Sequence, residues 1–236
     1  MNVPLWVWLV TIAGLVIVLV GGLILDHRNP HEVSMKEAAR GVAIYVTLAV
    51  LFGIGLWFVA GGEYAGEYFA GYITEYSLSV DNLFVFVVIM TKFAVPRQSQ
   101  HEVLLVGIVL ALVLRGIFIA IGAAAIAHFG WVFYIFGAFL LYTAVQMARH
   151  RKDQGEYKEN ALLRLARRYL KTSPEYDGAK ITTMVDGKRL FTPMLIVMIA
   201  IGTTDLLFAV DSIPAIFGLT QEAYLVFTAN VFALMG

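Results

Sequence analysis

Long apolar stretches, separated by short polar segments, run along most of the chain. Six of them come close to or exceed the roughly 20 residues that a helix needs to cross the hydrocarbon core of a bilayer. They are Pro4–Leu25, Gly41–Ala60, Phe69–Met90, Val103–Phe129, Trp131–Met147 and Pro193–Phe217. Each is apolar on all of its faces, whereas a helix on the surface of a soluble protein has a single apolar stripe. The pattern predicts an all-α polytopic membrane protein.

A seventh apolar stretch begins near Ala223 and continues to Gly236. As a helix, its roughly 14 residues would extend about 21 Å, which is less than the hydrocarbon core. We therefore expect at least seven transmembrane helices, with the chain truncated inside the seventh; a re-entrant segment is the alternative. Residues 1–147 then hold membrane helices one to five, residues 148–192 form a connector, and residues 193–236 hold helix six and part of helix seven.

The connector contains a predicted amphipathic helix over residues 156–171. Its apolar face comprises Leu162, Leu165, Ala166 and Tyr169. The other faces carry three arginines and a lysine, a combination typical of helices that lie on anionic lipid headgroups. Two roles fit the connector: a solvated link between membrane helices, or a lipid-sensing and regulatory element.

A β-hairpin is predicted after this helix. Asp186-Gly187 separates Ile181–Val185 from Lys188–Phe191, and an Asp-Gly pair between β-prone segments is the signal of a two-residue type I′ turn. Thr192 and Pro193 then predict the N-cap and the first turn of the sixth membrane helix.

Basic residues are confined to alternate loops. The segments after the first, third and fifth helices hold 16 of the 17 Lys and Arg residues, whereas those after the second, fourth and sixth hold none. By the positive-inside rule, the N-terminus lies outside and the three basic loops lie in the cytoplasm. The outer loops carry only acids, Glu63, Glu67 and Glu222. The formal net charge of zero is therefore a sum of segregated parts.

Composition excludes several classes of protein. The chain is 60% hydrophobic and 14% charged, and it contains no cysteine. This balance rules out a disordered chain, a nucleic-acid-binding protein with a basic surface and a disulfide scaffold. The absence of cysteine also rules out thiolate chemistry and thiolate metal ligands.

Five charged residues interrupt the apolar stretches: Glu75, Asp81, Arg115, Asp205 and Asp211. Each costs about 2.5–3.5 kcal/mol near the bilayer centre, so such residues usually mark a functional site. Residues 74–82 and 204–212 share one pattern, a Thr, an acid, four further residues, Val-Asp and a polar residue. Because the two helices run in opposite directions, the pattern predicts an inverted repeat of three plus three helices, typical of transporters with a site at the midplane.

The spacing within each stretch constrains that site. Glu75 and Asp81 are six residues apart, as are Asp205 and Asp211, so each pair is separated by about 9 Å and 120° on a regular helix. A shared site therefore needs a rotated, kinked or unwound helix. Pro214 supplies a cause in the sixth helix, because it would free the backbone carbonyl of Val210.

The oxygen donors of these stretches form a hard ligand set, which suits Mn²⁺, Ca²⁺ or Mg²⁺. We predict Asp81 and Asp211 as direct metal ligands. The residues predicted to complete the ligand shell or relay protons are Glu75, Asn82, Asp205 and Ser212. The residues predicted to line the site are Arg115, Asn230 and Val210.

Other polar or soft side chains receive more ordinary interpretations. Arg115 is either half of a static ion pair or a movable counter-charge, and Asn230 either makes an interhelical hydrogen bond or lines the site. His128, at the end of the fourth helix, is interpreted as an interfacial residue. The three methionines near the cytoplasmic ends, Met90, Met194 and Met198, are interpreted as packing residues.

The two acidic stretches, extended to Phe86 and Phe217, resemble signature segments of the TerC/Alx family of integral membrane proteins. Residues 134–142 and 228–233 are similar to the same family, and the resemblance runs from about Gly71 to Gly236. It implies a multi-pass bacterial inner-membrane protein associated with Mn²⁺ export and tellurium resistance, within a transporter group built on inverted three-helix repeats. The family's acidic and polar positions correspond here to Glu75, Asp81, Asn82, Asp205, Asp211 and Ser212.

We therefore expect a secondary transporter, not an enzyme, that exports a divalent cation. Mn²⁺ is the first choice of cargo and Ca²⁺ the alternative, with protons as the counter-ion, because crowded carboxylates lose protons when a metal binds. The lipid bilayer is a partner and no nucleic acid is expected. Assembly into a homo-oligomer is left open. The other two classes are a membrane-protein insertion or assembly factor and an intramembrane aspartyl protease, which would need a carboxylate pair sharing one proton.

Overall fold

The computed structural model describes residues 3–28, 35–149, 161–170, 172–178, 180–185 and 187–235. Within these residues the elements are α1 (Leu5–Arg28), α2 (Met35–Ala60), α3 (Gly62–Lys92), α4 (Arg97–His128), α5 (Val132–Arg149), α6 (Ala161–Tyr169), β1 (Thr182–Val185), β2 (Lys188–Phe191), α7 (Pro193–Phe217) and α8 (Ala223–Met235). Every predicted apolar stretch coincides with a helix, which confirms the predominantly helical class.

Four helices, α2, α3, α4 and α7, are long and apolar enough to cross a membrane. Shorter apolar segments lie in α1, α5 and α8, at Leu5–Gly21, Val132–Gln146 and Ala223–Met235. The count of seven transmembrane helices, the inverted repeat and the external N-terminus stay predictions.

One residue connects α2 to α3. Gly61 has a φ of 102°, and its amide donates to the carbonyls of Leu56 and Trp57, at 3.2 and 3.1 Å, which ends α2 in the manner of a glycine C-cap. The next helix begins at Gly62. As a result α3 starts seven residues before the predicted Phe69, and the polar segment containing Glu63 and Glu67 is helical.

The described residues group into two compact units, which we treat separately. Unit 1 comprises Met1–Ser79, Ile119–Phe133 and Ile213–Gly236. Unit 2 comprises Val80–Phe118 and Tyr134–Ser212.

Aromatic side chains form much of the core of unit 1. The ring of Phe52 on α2 lies 5.2 Å from that of Tyr68 on α3 and 5.1 Å from that of Phe232 on α8, measured between centroids. Trp8 on α1 packs edge-to-face on Tyr224 of α8, at 5.1 Å. Aromatic pairs at these separations are stabilised beyond their buried area. The first, second, third and eighth helices therefore share one core.

Apolar residues at the ends of α3, α4 and α7 form the core of unit 2, together with one residue of α6. We call this group the end cluster; its buried members are Phe86, Ile89, Met90, Val95, Val103, Leu163, Met194, Ile196, Val197, Ala200 and Ile201. Met90 and Met194 are buried and Met198 packs against them, so the packing interpretation of the three methionines is confirmed. His128 is exposed at the end of α4, where its Nδ1 lies 2.9 Å from the Ala124 carbonyl oxygen.

The connector helix differs from its prediction. α6 covers Ala161–Tyr169, while residues 156–160 and Lys171 lie outside the described part of the chain. Leu163, which the predicted apolar face left out, is fully buried, whereas Leu165 and Tyr169 are exposed. The end cluster therefore contacts α6 from the side of Leu163. The side chains of Leu162 and Ala166 lie outside the described part of the chain, and the lipid-facing role of the predicted face stays a prediction.

The predicted hairpin is present. β1 and β2 pair antiparallel from Thr182 with Phe191 to Val185 with Lys188, and Gly187 lies in the turn before β2. Gly187 has a φ of 72°, as a type I′ turn requires, and Asp186 lies outside the described residues.

Two hydroxyl groups hold the hairpin in place. Thr192 precedes α7 as predicted, but its hydroxyl donates to the Lys180 carbonyl, so the side chain ties the hairpin to the helix start. Hydrogen bonds from the Thr183 hydroxyl, at 3.0 Å, and from the Lys180 ammonium lower the pKa of Asp177 from its ordinary value of 3.8. These bonds to the ionised carboxylate are therefore in place at neutral pH.

Candidate functional site

All five charged residues predicted inside the membrane lie within the long apolar helices. Glu75 and Asp81 are in α3, Arg115 is in α4, and Asp205 and Asp211 are in α7. The structure separates them by environment. Glu75, Arg115 and Asp205 are buried, whereas Asp81 and Asp211 are exposed.

Arg115 and Asp205 form an ion pair in unit 2. The Nη2 atom of Arg115 lies 3.3 Å from Oδ1 of Asp205, and each residue is only 1% exposed. Arg115 is therefore half of an ion pair in this structure, and its interpretations as a static partner or a movable counter-charge both stay predictions. Oδ2 of Asp205 has no hydrogen-bond partner within the described residues, so the contact is not the bidentate fork that gives the strongest arginine–carboxylate pairs.

Two glycines bring α4 and α7 close together beside this pair. A Cβ atom on Gly202 would lie 2.5 Å from Cδ2 of Leu110, and one on Gly107 would lie 3.0 Å from Cγ2 of Ile201. Helix backbones approach closely in membranes where such small residues lie at the interface. Gly202 lies one turn before Asp205, so it helps to bring the carboxylate within reach of Arg115. Neither glycine was predicted as a functional residue, since isolated glycines in apolar helices carry no distinctive pattern.

Other buried polar groups lie on the same elements of unit 2. Asn82 on α3 is 7% exposed and Ser212 on α7 is 2% exposed. Ser212 follows Asp205 by seven residues and lies on the same helical face, and its hydroxyl has no hydrogen-bond partner within the described residues. Thr204, by contrast, donates its hydroxyl hydrogen to the Ala200 carbonyl at 2.7 Å. Ser212 and Oδ2 of Asp205 are thus oxygen atoms with unused bonding capacity.

The two residues predicted as direct metal ligands are on the surface of unit 2. Asp81 and Asp211 are both exposed, and Val210, predicted to expose its carbonyl, has a side chain that is 38% exposed. α7 continues through Pro214 to Phe217. Among the described residues, no three His, Cys, Asp or Glu side chains come together closely enough to hold a metal ion. The metal-ligand assignments stay predictions.

Glu75 and Asn230 belong to unit 1. Glu75 is fully buried, and the Ser79 hydroxyl donates to its Oε1 at 3.5 Å. One turn earlier on α3, a Cβ atom on Gly71 would lie 3.5 Å from the Cβ of Ala229 on α8, which is an ordinary contact distance. Asn230 is 1% exposed, and neither its Oδ1 nor its Nδ2 has a hydrogen-bond partner in the described part of the chain. The interhelical hydrogen bond considered for Asn230 is therefore not observed there.

An acidic cleft of about 350 Å³ lies at one end of unit 1. The three acids predicted for the outer loops, Glu63, Glu67 and Glu222, all line it. Thr220 donates its hydroxyl hydrogen to Oε2 of Glu67 at 2.5 Å, which fixes that carboxylate. A cleft lined by one sign of charge raises the local concentration of oppositely charged ions.

Comparison with known proteins gives a consistent set of relatives. The sequence model of one family, the integral membrane protein TerC family, matches residues 60–236. The membrane protein Rv2723 of Mycobacterium tuberculosis is 48% identical over 231 residues, which are 94% of this chain and 58% of the relative. STKORF319, a membrane protein of Myxococcus xanthus, is 43% identical over 95% of this chain and 72% of its own length.

A protein named as a membrane-bound redox modulator, Alx of Escherichia coli, is 37% identical over 91% of this chain and 69% of its own length. The chain therefore spans 58% of the length of the mycobacterial relatives and about 70% of the others. No solved structure matches the chain.

Proposed function

Because the chain belongs to the TerC family of integral membrane proteins, we propose that it is a membrane transporter for a divalent metal cation. Mn²⁺ is the proposed cargo and Ca²⁺ the alternative within the same mechanism. Movement is out of the cytoplasm in exchange for protons. The activity is transport and not catalysis.

The observation that carries this proposal is the buried Arg115–Asp205 pair inside apolar helices. Burying a carboxylate and a guanidinium in a low-dielectric region is expensive, and a hydrophobic pair of similar volume is often at least as stable. Charged residues at such positions in membrane proteins usually line ion pathways. A pair with one spare carboxylate oxygen therefore points to a role in handling ions.

In the proposed mechanism Arg115 is a movable counter-charge. It neutralises Asp205 when no cation is bound, and an arriving divalent cation takes its place on the carboxylate. Oδ2 of Asp205 supplies a hard oxygen atom to that cation, and the Ser212 hydroxyl, about 10.5 Å further along α7, lies on the same face of the helix and contacts the cation at a separate step of its passage. The guanidinium has no acceptor atom, so it competes with the metal for the carboxylate by its charge and its N–H donors alone.

The remaining predicted residues complete the pathway. Asp81 and Asp211 are exposed, and an ionised carboxylate facing lipid would cost about 2.5–3.5 kcal/mol, so we assign them to a water-filled path or to contact with a further helix. Asn82, which belongs to the same unit, supplies a further oxygen ligand. Metal binding to a protonated carboxyl group displaces its proton, which gives the exchange its coupling.

The proposed setting is the bacterial inner membrane. Seven or more helices, related by an inverted three-plus-three repeat, would place the N-terminus outside and the basic connector in the cytoplasm. The acidic cleft of unit 1 would then lie on the outer side, where exported cations leave. Self-association of the chain is compatible with this arrangement.

Links to redox state and to tellurium resistance would be indirect. Alx is named as a redox modulator, but the present sequence contains no cysteine for thiol–disulfide exchange. The side chains proposed for the cation site are carboxylates, hydroxyls and amides, which bind metal ions through oxygen. Altered metal balance is therefore the proposed route to either phenotype.

The proposal is tested by metal content in a Mn²⁺-sensitive bacterial host. Expression of the chain should lower cellular Mn²⁺ and restore growth, and Asp205→Asn and Asp211→Asn should each reduce this effect at least roughly tenfold, since every neutralised ligand weakens cation binding. Glu175→Gln, at an exposed acid of the connector, is the matched control and should behave as wild type.

Asp211→Asn changes an exposed side chain, so it keeps the test decisive even if Asp205→Asn fails to fold. Full export by both variants, at equal amounts in the membrane, would rule out the site. Growth rescue without any change in cellular Mn²⁺ would favour the assembly-factor class.

A further inference from the structure

α6 is held at the level where a membrane surface must lie. Leu163 is fully buried in the end cluster, which consists of the last turns of α3 and the first turns of α4 and α7. Nearby, the Tyr176 hydroxyl donates to the Phe93 carbonyl at 2.7 Å, just beyond the last residue of α3. Because α3 and α7 are long enough to span a bilayer, an element docked on their ends lies at the boundary between lipid and water.

Four described side chains of α6 are exposed and lie outside this packing. Leu165 is 52% exposed and Tyr169 is 72% exposed, and their four-residue spacing places them on one face. Arg164 and Arg168, also four apart and exposed, form the adjacent face. A helix that exposes apolar and cationic faces next to a bilayer is typical of an interfacial helix.

We propose that α6 is a docking surface for anionic phospholipids. Arg164 and Arg168 bind the headgroup phosphates, for which the guanidinium fork is well suited, and Leu165 and Tyr169 insert at the edge of the acyl chains. Charge complementarity favours lipid over other occupants, because Lys92 and Arg97 are exposed at the same ends of α3 and α4 and extend the basic surface. The inference does not depend on the proposed cargo.

The depth of α6 in the bilayer can be measured with a single spin label, since the sequence contains no cysteine. Leu165→Cys carries the label on the apolar face of α6, and Met184→Cys, on the exposed side of β1, is the reference. The protein is placed in nanodiscs of phosphatidylcholine, with or without phosphatidylglycerol. Collision with oxygen, which partitions into lipid, is compared with collision with a water-soluble nickel chelate.

In discs containing phosphatidylglycerol, the label at 165 should collide mainly with oxygen, and the label at 184 should collide mainly with the nickel chelate. In neutral discs, or at high salt, the label at 165 should shift toward nickel, because the headgroup attraction is removed or screened. Replacing Arg164 and Arg168 together by Gln should lower the ratio of membrane-bound to unbound α6, as reported by the label at 165, about 25-fold. The matched control, Lys188→Gln with Arg189→Gln, removes the same charge from β2 and should leave the ratio unchanged.

Two results would overturn the inference. If the label at 165 is as accessible to nickel as the label at 184 in anionic discs, α6 does not touch the membrane. If its protection is equal in neutral and anionic discs and insensitive to the arginine substitutions, the face is covered by protein, for example by a second copy of the chain. Both double variants alter exposed side chains only, so the end cluster and the fold of unit 2 remain intact.

Discussion

Arg115 and Asp205 depend on each other energetically. A buried charge without its counter-charge destabilises a protein by about 3–5 kcal/mol, whereas removing both charges together is often neutral or stabilising. The 3.3 Å contact through a single carboxylate oxygen makes this pair a poor source of stability. We therefore attribute the pair to the proposed function in ion transport.

A double-mutant cycle tests this interpretation. Arg115→Met should destabilise the protein by about 3–5 kcal/mol, and adding Asp205→Leu should restore most of the loss, because no buried charge is left uncompensated. Thermal unfolding in detergent measures the stability, and Mn²⁺ uptake in vesicles measures the function. The double variant should fold and yet fail to transport.

Two results would contradict this interpretation of the Arg115–Asp205 pair. Additive losses of stability in the double variant would show that the two side chains are not coupled. Retained transport in a folded double variant would show that the pair is structural only.

The sequence predicts that Arg115 forms an ion pair, but it does not predict which carboxylate is its partner. The choice of Asp205 depends on how close α4 and α7 come, and that distance is set by Gly107 and Gly202. Exposure was equally hard to anticipate. Asp205 and Asp211 both belong to the repeat pattern of α7, yet one is buried and the other exposed, because they face different neighbours.

Helix packing in unit 1 includes a close fit between α2 and α3. A Cβ atom on Gly53 would overlap the ring of Phe69 at Cζ, so the glycine forms a hole that the ring fills. An aromatic ring cannot move aside as a flexible aliphatic chain can. The glycine is therefore required for this helix pair to approach.

We expect Gly53→Ala to destabilise the protein by about 1–3 kcal/mol through overpacking. Gly55→Ala is the matched control on the same helix, since nothing lies within 4 Å of a Cβ atom there, and it should be neutral or slightly stabilising. Phe69→Leu should partly rescue Gly53→Ala. Equal melting temperatures for the two alanine variants would contradict the close fit.

The sequence predicted elements better than their ends or contacts. Continuous apolar stretches located the long apolar helices, and Asp186-Gly187 located the hairpin turn, because these are local signals. The extension of α3 back to Gly62 was missed, since it depends on the cap at Gly61. The burial of Leu163 was missed as well, because it depends on the end cluster, whose residues are distant in sequence.

For the whole molecule, the segregated charges predict the orientation in the membrane. Gln221, in the exposed segment between α7 and α8, should face outside, and Met184 on β1 should face the cytoplasm. A cysteine at 221 should react with a membrane-impermeant thiol reagent in intact cells, whereas one at 184 should react only after permeabilisation. The reverse pattern would invert the topology and, with it, the proposed direction of transport.

The central claim is that this chain moves a divalent cation across a membrane, and flux through the purified protein tests it most directly. Proteoliposomes containing a Mn²⁺-sensitive dye should fill at a saturable rate at least roughly tenfold above that of protein-free liposomes, faster with an opposing proton gradient and slower with Asp211→Asn. Ca²⁺ and Mg²⁺, measured in the same way, define the selectivity. Mn²⁺ and Ca²⁺ fluxes equal to those of protein-free liposomes would contradict the account.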